Sequence, residues 1–239
     1  MHFTGRTWRP PYEAHSVIIQ ATSGCTYKKC RFCSLYKNEC FRMSPIEEFE
    51  EDLAEIKTYQ PYARRIFWTG ANPFAMSYEN LKLRALTVRD YLIKCQTMAM
   101  FASIRDIKNK EVWQLKKLKA MGINGLSIGV ESGDDETLIL ANKGYTTADI
   151  IEQCRKLDEA NIEDGDVIIA LKAADADNLA ICQTAKRLYR VKKTVAVVGN
   201  PKSVDIFKKL GINTAISATY MVAGFIEQMS VVENLVNCL

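Results

Sequence analysis

Glycine and proline are scarce in this 239-residue chain, at 12 and 6, which excludes collagen-like and low-complexity readings. Long hydrophobic runs are missing too. The longest nearly uncharged apolar stretch, Ile216–Ile226, stops at Glu227, well short of the ~20 residues that a bilayer span requires. Met1 to Pro11 contains no apolar core of a secretory signal, so the expected compartment is cytoplasmic and reducing. Neither sign of charge dominates: 32 Lys and Arg face 28 Asp and Glu, a net charge of +4. The balance holds on both sides of residue 163, which gives no support to nucleic-acid binding and leaves the substrate class unread. No G-x-G-x-x-G occurs anywhere, so the phosphate loop of the usual dinucleotide-binding turn is absent. The two histidines, His2 and His15, stand apart in sequence from other ligand types.

Cysteine is present and unevenly spread. Four of the eight fall between Cys25 and Cys40, and Cys95, Cys154, Cys182 and Cys238 are scattered. In a reducing compartment a local cluster reads as a metal site rather than a disulfide framework. Cys95, Cys154 and Cys182 fall on helix-like segments and read as core packing.

The length admits one large α/β domain or two small ones. Strand-like runs at Ser16–Gln20, Arg65–Thr69, Thr97–Ser103 and Gly125–Val130 alternate with helix-like stretches. The first helix is expected to start at Ser44-Pro-Ile-Glu47, with Ser44 as N-cap, Pro45 at the first helical position and Glu47 completing a capping box. Further helices are expected at Asn80–Lys94, Lys108–Met121 and Thr147–Ala160. Four β-loop-α units of this kind predict a parallel sheet with helices outside, where function sits at the carboxyl ends of the strands. The unusual polar clusters all fall at such ends: the cysteines, Thr69 to Asn72, Ser103 to Arg105, and Glu131 to Gly133.

The constellation Cys25-Thr-Tyr-Lys-Lys-Cys30-Arg-Phe-Cys33 puts three thiols on one short loop. Three thiolates can hold three irons of a [4Fe–4S] cube and leave the fourth open. Lys28, Lys29 and Arg31 favour thiolate formation. Cys40 keeps two alternatives open, a closed zinc site or a closed ferredoxin-like cluster.

With those residues the chain resembles the radical S-adenosylmethionine (SAM) superfamily. The likeness rests on the three cysteines with Phe32 before the last, on Thr69-Gly-Ala-Asn72, and on Gly129-Val-Glu-Ser-Gly-Asp134. It covers residues 1–163. The commonest family spacing leaves three residues between the first two cysteines; here there are four. The resemblance implies a [4Fe–4S] cluster held by Cys25, Cys30 and Cys33, SAM chelated at the open iron, and its reductive cleavage to methionine and a 5′-deoxyadenosyl radical. Thr69, Gly70 and Asn72 would lie near the methionine amino group, Ser103 and Arg105 would pair with the methionine carboxylate, and Glu131 and Ser132 would bind the ribose hydroxyls. Each keeps a structural alternative: Asn72-Pro73 as a turn, Arg105 as a surface counter-charge, Glu131 as an acid opening the next helix. An electron donor such as ferredoxin or flavodoxin is implied as partner, and the substrate is not named.

From residue 164 the texture changes. Asp166–Leu171, Asp175-Ala-Asp-Asn178, Val195–Pro201 and Phe207–Asn213 resemble the second half of the TrkA/RCK N-terminal domain of Trk-type potassium transport regulators. Strands are expected at Asp166–Leu171, Lys193–Val198 and Thr214–Ser217. A helix is expected over Leu179–Tyr189, and Asp175, Asp177 and Asn178 are expected in a solvated turn. The final helix, Met221–Cys238, carries Val222, Phe225, Met229, Val232 and Val236 on one face, a surface for a homodimer. The expected fold class is therefore α/β: a partial (βα) radical-SAM-type barrel of about four units (1–163), then a half Rossmann-like parallel βα segment (164–239), in one continuous or abutting sheet. The functional alternative is a non-catalytic fusion or regulatory module with a structural metal site.

Overall fold

The computed structural model describes residues 1–162, 167–189, 191 and 193–236. The chain divides between residues 164 and 165 into two compact units.

In the first unit, strands β1 (Val17–Gln20), β4 (Arg65–Thr69), β5 (Thr97–Ala102) and β6 (Ile123–Ile128) form one sheet in the order β1-β4-β5-β6. Every pairing is parallel, so all four carboxyl ends fall on one edge. Between β1 and β4, two further strands, β2 (Thr22–Ser23) and β3 (Arg42–Met43), pair antiparallel, Thr22 opposite Met43 and Ser23 opposite Arg42. They close the base of the cysteine loop. Each is two residues long, too short to show the alternation by which strands are read from sequence.

The connecting helices are α1 (Ile46–Tyr59), α2 (Tyr78–Tyr91), α3 (Ile104–Lys108), α4 (Val112–Ala120), α5 (Asp135–Leu140) and α6 (Thr147–Glu159). Helix and sheet bury one core: Ile19, Phe49, Leu53, Ile66, Trp68, Leu81, Met98, Leu115 and Ile123 are fully enclosed. Each such aliphatic side chain contributes about 1.5–3 kcal/mol by leaving water. Phe49 of α1 meets Trp68 of β4 edge-to-face at 5.7 Å.

The start of α1 departs from expectation. Pro45, not Ser44, is the N-cap, and there is no side-chain cap. Ser44 is buried and donates its hydroxyl to the Gln20 carbonyl at 2.9 Å. Satisfying a buried strand-end carbonyl outweighs capping a helix end that water can reach. The expected helix Lys108–Met121 is α4, which starts only at Val112, and a separate short helix, α3, precedes it and ends at Lys108. Ser103 and Asp106 form a capping box that opens α3, and Glu111 and Gln114 form a second that opens α4. His2 is not isolated in space: its Nδ1 lies 2.8 Å from Asp52. Cys95 lies in the turn before β5 rather than on a helix; it and Cys182 are buried, Cys154 is half-buried, and Cys238 lies outside the described residues.

The second unit holds β7 (Val167–Ala170), α7 (Asp175–Tyr189), β8 (Lys193–Val198), α8 (Ser203–Lys209), β9 (Thr214–Ser217) and α9 (Ala218–Val236). Its strands form their own parallel sheet, β7-β8-β9. That corrects the expectation of one continuous sheet; strand β6 pairs only with β5 among the described residues. Cys182, Ala196, Val198, Phe207 and Ile212 form its core. Helix α7 begins at Asp175, so the expected solvated turn is the first turn of a helix. Asn178 is fully buried and bonded to Lys172 and to the Val197 carbonyl, a strand-to-helix tie. On α9, Val222, Phe225 and Met229 are exposed; the side chains of Val232 and Val236 lie outside the described residues, as does Asp166. Among the described residues no helix is long and apolar enough to cross a membrane.

Candidate functional site

The carboxyl edge of the first sheet gathers the loops singled out by sequence. Cys25, Cys30 and Cys33 are all free and half-buried, whereas Cys40 is exposed. Burial pushes the Cys30 thiol pKa up; Lys143 and Arg105 pull it down, and Cys33 and Cys25 push it up again. Cys30 therefore lies within electrostatic reach of the other two. The three thiols are not drawn into a ready ligand set: among the described residues no three His, Cys, Asp or Glu side chains are grouped to hold a metal ion. A ligand-free loop of this kind is gathered by what it binds.

The loop is tied to the sheet through Asn72, which is buried. Its Nδ2 donates to Thr26 Oγ1 at 2.7 Å and to the Asp106 carboxylate at 3.1 and 3.2 Å. Its Oδ1 accepts from the Thr26 amide at 3.3 Å. Asn72 thus joins the cysteine loop to the start of α3. Asp106 in turn accepts from the Ser103 amide at 2.8 Å. Burial raises its pKa, and the bonds from Ser103 and Asn72 work against the rise. Beneath it, burial lowers the Lys110 pKa to about 8, and its ammonium donates to the Phe74 and Asp106 carbonyls.

Thr69 ends β4 with its hydroxyl buried and unpartnered, and the Thr22 hydroxyl is in the same state. Between them Gly70 has φ +135°, and a Cβ there would lie 2.1 Å from Thr22 Oγ1 and 2.5 Å from the Thr22 carbonyl oxygen. No side chain fits. Two buried hydroxyls without partners are costly unless a ligand or water takes them up. A third case lies in the cysteine loop itself: the Tyr36 hydroxyl is buried and unpartnered. Burial, with Glu39, Cys25 and Cys33 nearby, pushes its pKa to about 12, so it stands as a donor lacking an acceptor.

Ser103 caps α3, accepting from the Asp106 amide. Arg105 stands over Tyr27, its Cζ 3.3 Å from the ring centroid, and donates to the Lys143 carbonyl at 3.0 Å. Glu131 has a left-handed backbone, φ 72°, and its carboxylate meets Lys143 Nζ at 3.2 Å. Ser132 accepts from the Asp134 amide at 3.1 Å, and Asp134 caps α5. The structure therefore joins Asn72, Ser103 and Arg105 to the cysteine loop through Thr26, Asp106 and Tyr27, and joins Glu131 to it through Lys143. Thr22, Thr26, Tyr27, Tyr36 and Lys143 carried no motif of their own, and Asp106 only that of a capping box. Only position marks the first five: beside a cysteine, beside a strand end, or in the turn before a capping box.

Comparison with known proteins gives two family matches. The radical SAM superfamily matches residues 19–177 and the TrkA-N domain matches residues 146–218. The chain is 31% identical over 120 residues to a Trk system potassium uptake protein TrkA homolog of Methanothermobacter thermautotrophicus, covering 46% of this chain and 55% of that protein. It is 27% identical over 141 residues to the heme chaperone HemW of Bacillus subtilis, covering 56% of this chain and 37% of that protein. The chain thus spans about half the length of these relatives, or less. Among solved structures, the cobalamin-dependent SAM radical enzyme OxsB matches with a TM-score of 0.51 at 18% identity, over 70% of this chain and 26% of that one. The FeFe-hydrogenase maturase HydG of Carboxydothermus hydrogenoformans matches with a TM-score of 0.50 at 13% identity, over 84% and 58%. At such identities the likeness concerns the fold.

Proposed function

The chain belongs to the radical SAM superfamily, and from that premise we propose that its first unit binds a [4Fe–4S] cluster through Cys25, Cys30 and Cys33 and cleaves SAM reductively. The observation that carries the reading is the joint placement of three free thiols on a loop tied to the carboxyl edge of a parallel sheet by Asn72. The donor set suits the group: three soft ligands and a buried hydroxyl in want of an acceptor at Tyr36. Exposed Cys40 is left out of the set.

A cluster held by Cys25, Cys30 and Cys33 would supply the single electron that reductive cleavage of the SAM S–C5′ bond to methionine and a 5′-deoxyadenosyl radical requires. The electron comes from a low-potential donor of the ferredoxin or flavodoxin class. The chain's own residues supply orientation. Asn72 and Asp106 fix the cysteine loop against the strand ends. Thr22 and Thr69 leave two buried hydroxyls without partners, with the Gly70 backbone packed close against Thr22. Glu131, held in a left-handed conformation, presents a carboxylate suited to a ribose diol. The substrate of the radical stays open. The second unit resembles TrkA-N but has no glycine-rich phosphate loop, and no nucleotide is assigned to it.

Anaerobic reconstitution with iron and sulfide, followed by SAM and dithionite, tests the proposal. A brown chromophore bleached by dithionite and release of 5′-deoxyadenosine are expected, and Cys40→Ala is expected to keep both. Stoichiometric zinc without iron or sulfide overturns the reading.

Tyr36→Phe gives a second check on the same site. In cluster-free protein the variant is expected to be as stable as wild type or more stable, by up to ~1 kcal/mol, because a buried hydroxyl without a partner is removed. After reconstitution that advantage is expected to vanish. Thermal melts of both forms measure it, and equal differences in the two states would count against a bound group that uses the hydroxyl.

A further inference from the structure

The turn Ala141–Tyr145, between α5 and α6, grips two loops at once. Toward the cysteine loop, the Arg31 amide donates to the Ala141 carbonyl at 3.0 Å, and Asn142 Nδ2 donates to the Lys29 carbonyl at 2.8 Å. Gly144, at φ +72°, leaves room for Tyr27: a Cβ there would lie 2.4 Å from the Tyr27 hydroxyl. Toward the loop after β6, the Tyr145 hydroxyl donates to the Gly129 carbonyl at 2.5 Å. Lys143 stands between the two. Its side chain is only 9% exposed. Its ammonium lies 3.2 Å from Glu131 Oε1 and 5.5 Å from the ring centroids of both Phe32, in the cysteine loop, and Tyr145. One buried charge therefore touches the carboxylate proposed for the ribose and the aromatic residue between the second and third cysteines.

We propose that Lys143 is a positioning residue that couples the cysteine loop to Glu131, so that a nucleoside bound at Glu131 orders the loop carrying Cys30. The inference rests on the functional reading above, which supplies the roles of Glu131 and the cysteines. The physical reason is local. Glu131 holds a left-handed backbone that a non-glycine residue keeps only when its surroundings over-determine it, and Lys143 is the cation that faces it. Without that cation the carboxylate loses its partner and the turn loses its charged contact with Phe32. Coupling of this kind is reciprocal: whatever stabilises one loop raises the affinity at the other.

The test uses cluster-free full-length protein, adenosine as probe, and the rate of Cys30 alkylation by iodoacetamide read by peptide mass spectrometry. Adenosine lacks the amino acid half of SAM, so it reaches the ribose end alone. In wild type, saturating adenosine is expected to slow Cys30 labelling about fivefold or more, the low end of allosteric coupling. In Lys143→Met the ratio of rates with and without adenosine is expected to fall to about one, and Lys143→Arg is expected to restore most of it. Taking that ratio within each variant cancels any direct effect of the lost charge on the thiol. A variant that merely unfolds betrays itself by a fallen Tm and fast labelling of buried Cys95. An unchanged ratio in Lys143→Met, or no protection by adenosine in wild type, overturns the proposal. Absence of iron and sulfide after reconstitution overturns the functional reading instead, whatever the labelling shows, so the two failures are told apart.

Discussion

Replacing Cys25, Cys30 and Cys33 together with alanine is expected to abolish retention of iron and sulfide after anaerobic reconstitution, and all release of 5′-deoxyadenosine with it. Thiolates are the ligands an iron–sulfur cluster demands, and nothing nearby replaces them. Cys40 remains on the same loop, but it alone supplies one exposed sulfur. The fold is expected to survive. The loop is anchored by Thr26 to Asn72, by Arg31 to Ala141 and by Lys29 to Asn142, contacts that leave the thiols out. Far-UV circular dichroism should therefore match wild type, and cluster-free stability should fall by no more than ~1.5 kcal/mol for three half-buried thiols, one of which accepts from the Tyr27 amide. Iron retained by the triple variant would show that the ligands lie elsewhere.

Gly70→Ala is the second large effect. At φ +135° an L-residue is strained, which costs on the order of 1–3 kcal/mol. The added methyl would also press within 2.1 Å of Thr22 Oγ1 and 2.5 Å of the Thr22 carbonyl. A hydroxyl can rotate away, but the carbonyl belongs to β2 and cannot move without opening its pairing with β3. Strain and overpacking together are expected to lower the stability of the first unit by about 3 kcal/mol, a fall in Tm of roughly 6–12 °C. Gly133→Ala serves as control, since a Cβ there meets nothing within 4 Å, and its expected change stays within ~0.5 kcal/mol. Equal melting of Gly70→Ala and wild type would mean that Gly70 does not pack tightly against Thr22.

Three of the four strands were legible because Val17–Gln20, Arg65–Thr69 and Thr97–Ala102 are dense apolar runs, and buried parallel strands read that way. The cysteine loop was legible because thiols at close spacing are rare and chemically costly. The tie that positions the loop was not. Asn72 beside Pro73 looks like turn chemistry, and only the fold brings it to Thr26 and Asp106. Lys143 resembles any surface lysine before a helix; its burial comes from residues far away in sequence. The break between α3 and α4 was written in the sequence as two successive capping boxes, Ser103 with Asp106 and Glu111 with Gln114, and the polar run Lys108-Asn-Lys-Glu111 between them holds no apolar residue to carry a helix across. Ser44 failed as a cap for a tertiary reason, its hydroxyl being drawn to the Gln20 carbonyl.

The short ladder of Thr22–Ser23 with Arg42–Met43 turns the stretch it encloses into a cassette with fixed terminals. A closed loop feels an inserted residue only through the logarithm of its length, well under ~0.1 kcal/mol at this size. The spare residue between Cys25 and Cys30 is therefore absorbed inside the cassette, and the sheet that carries it keeps its register.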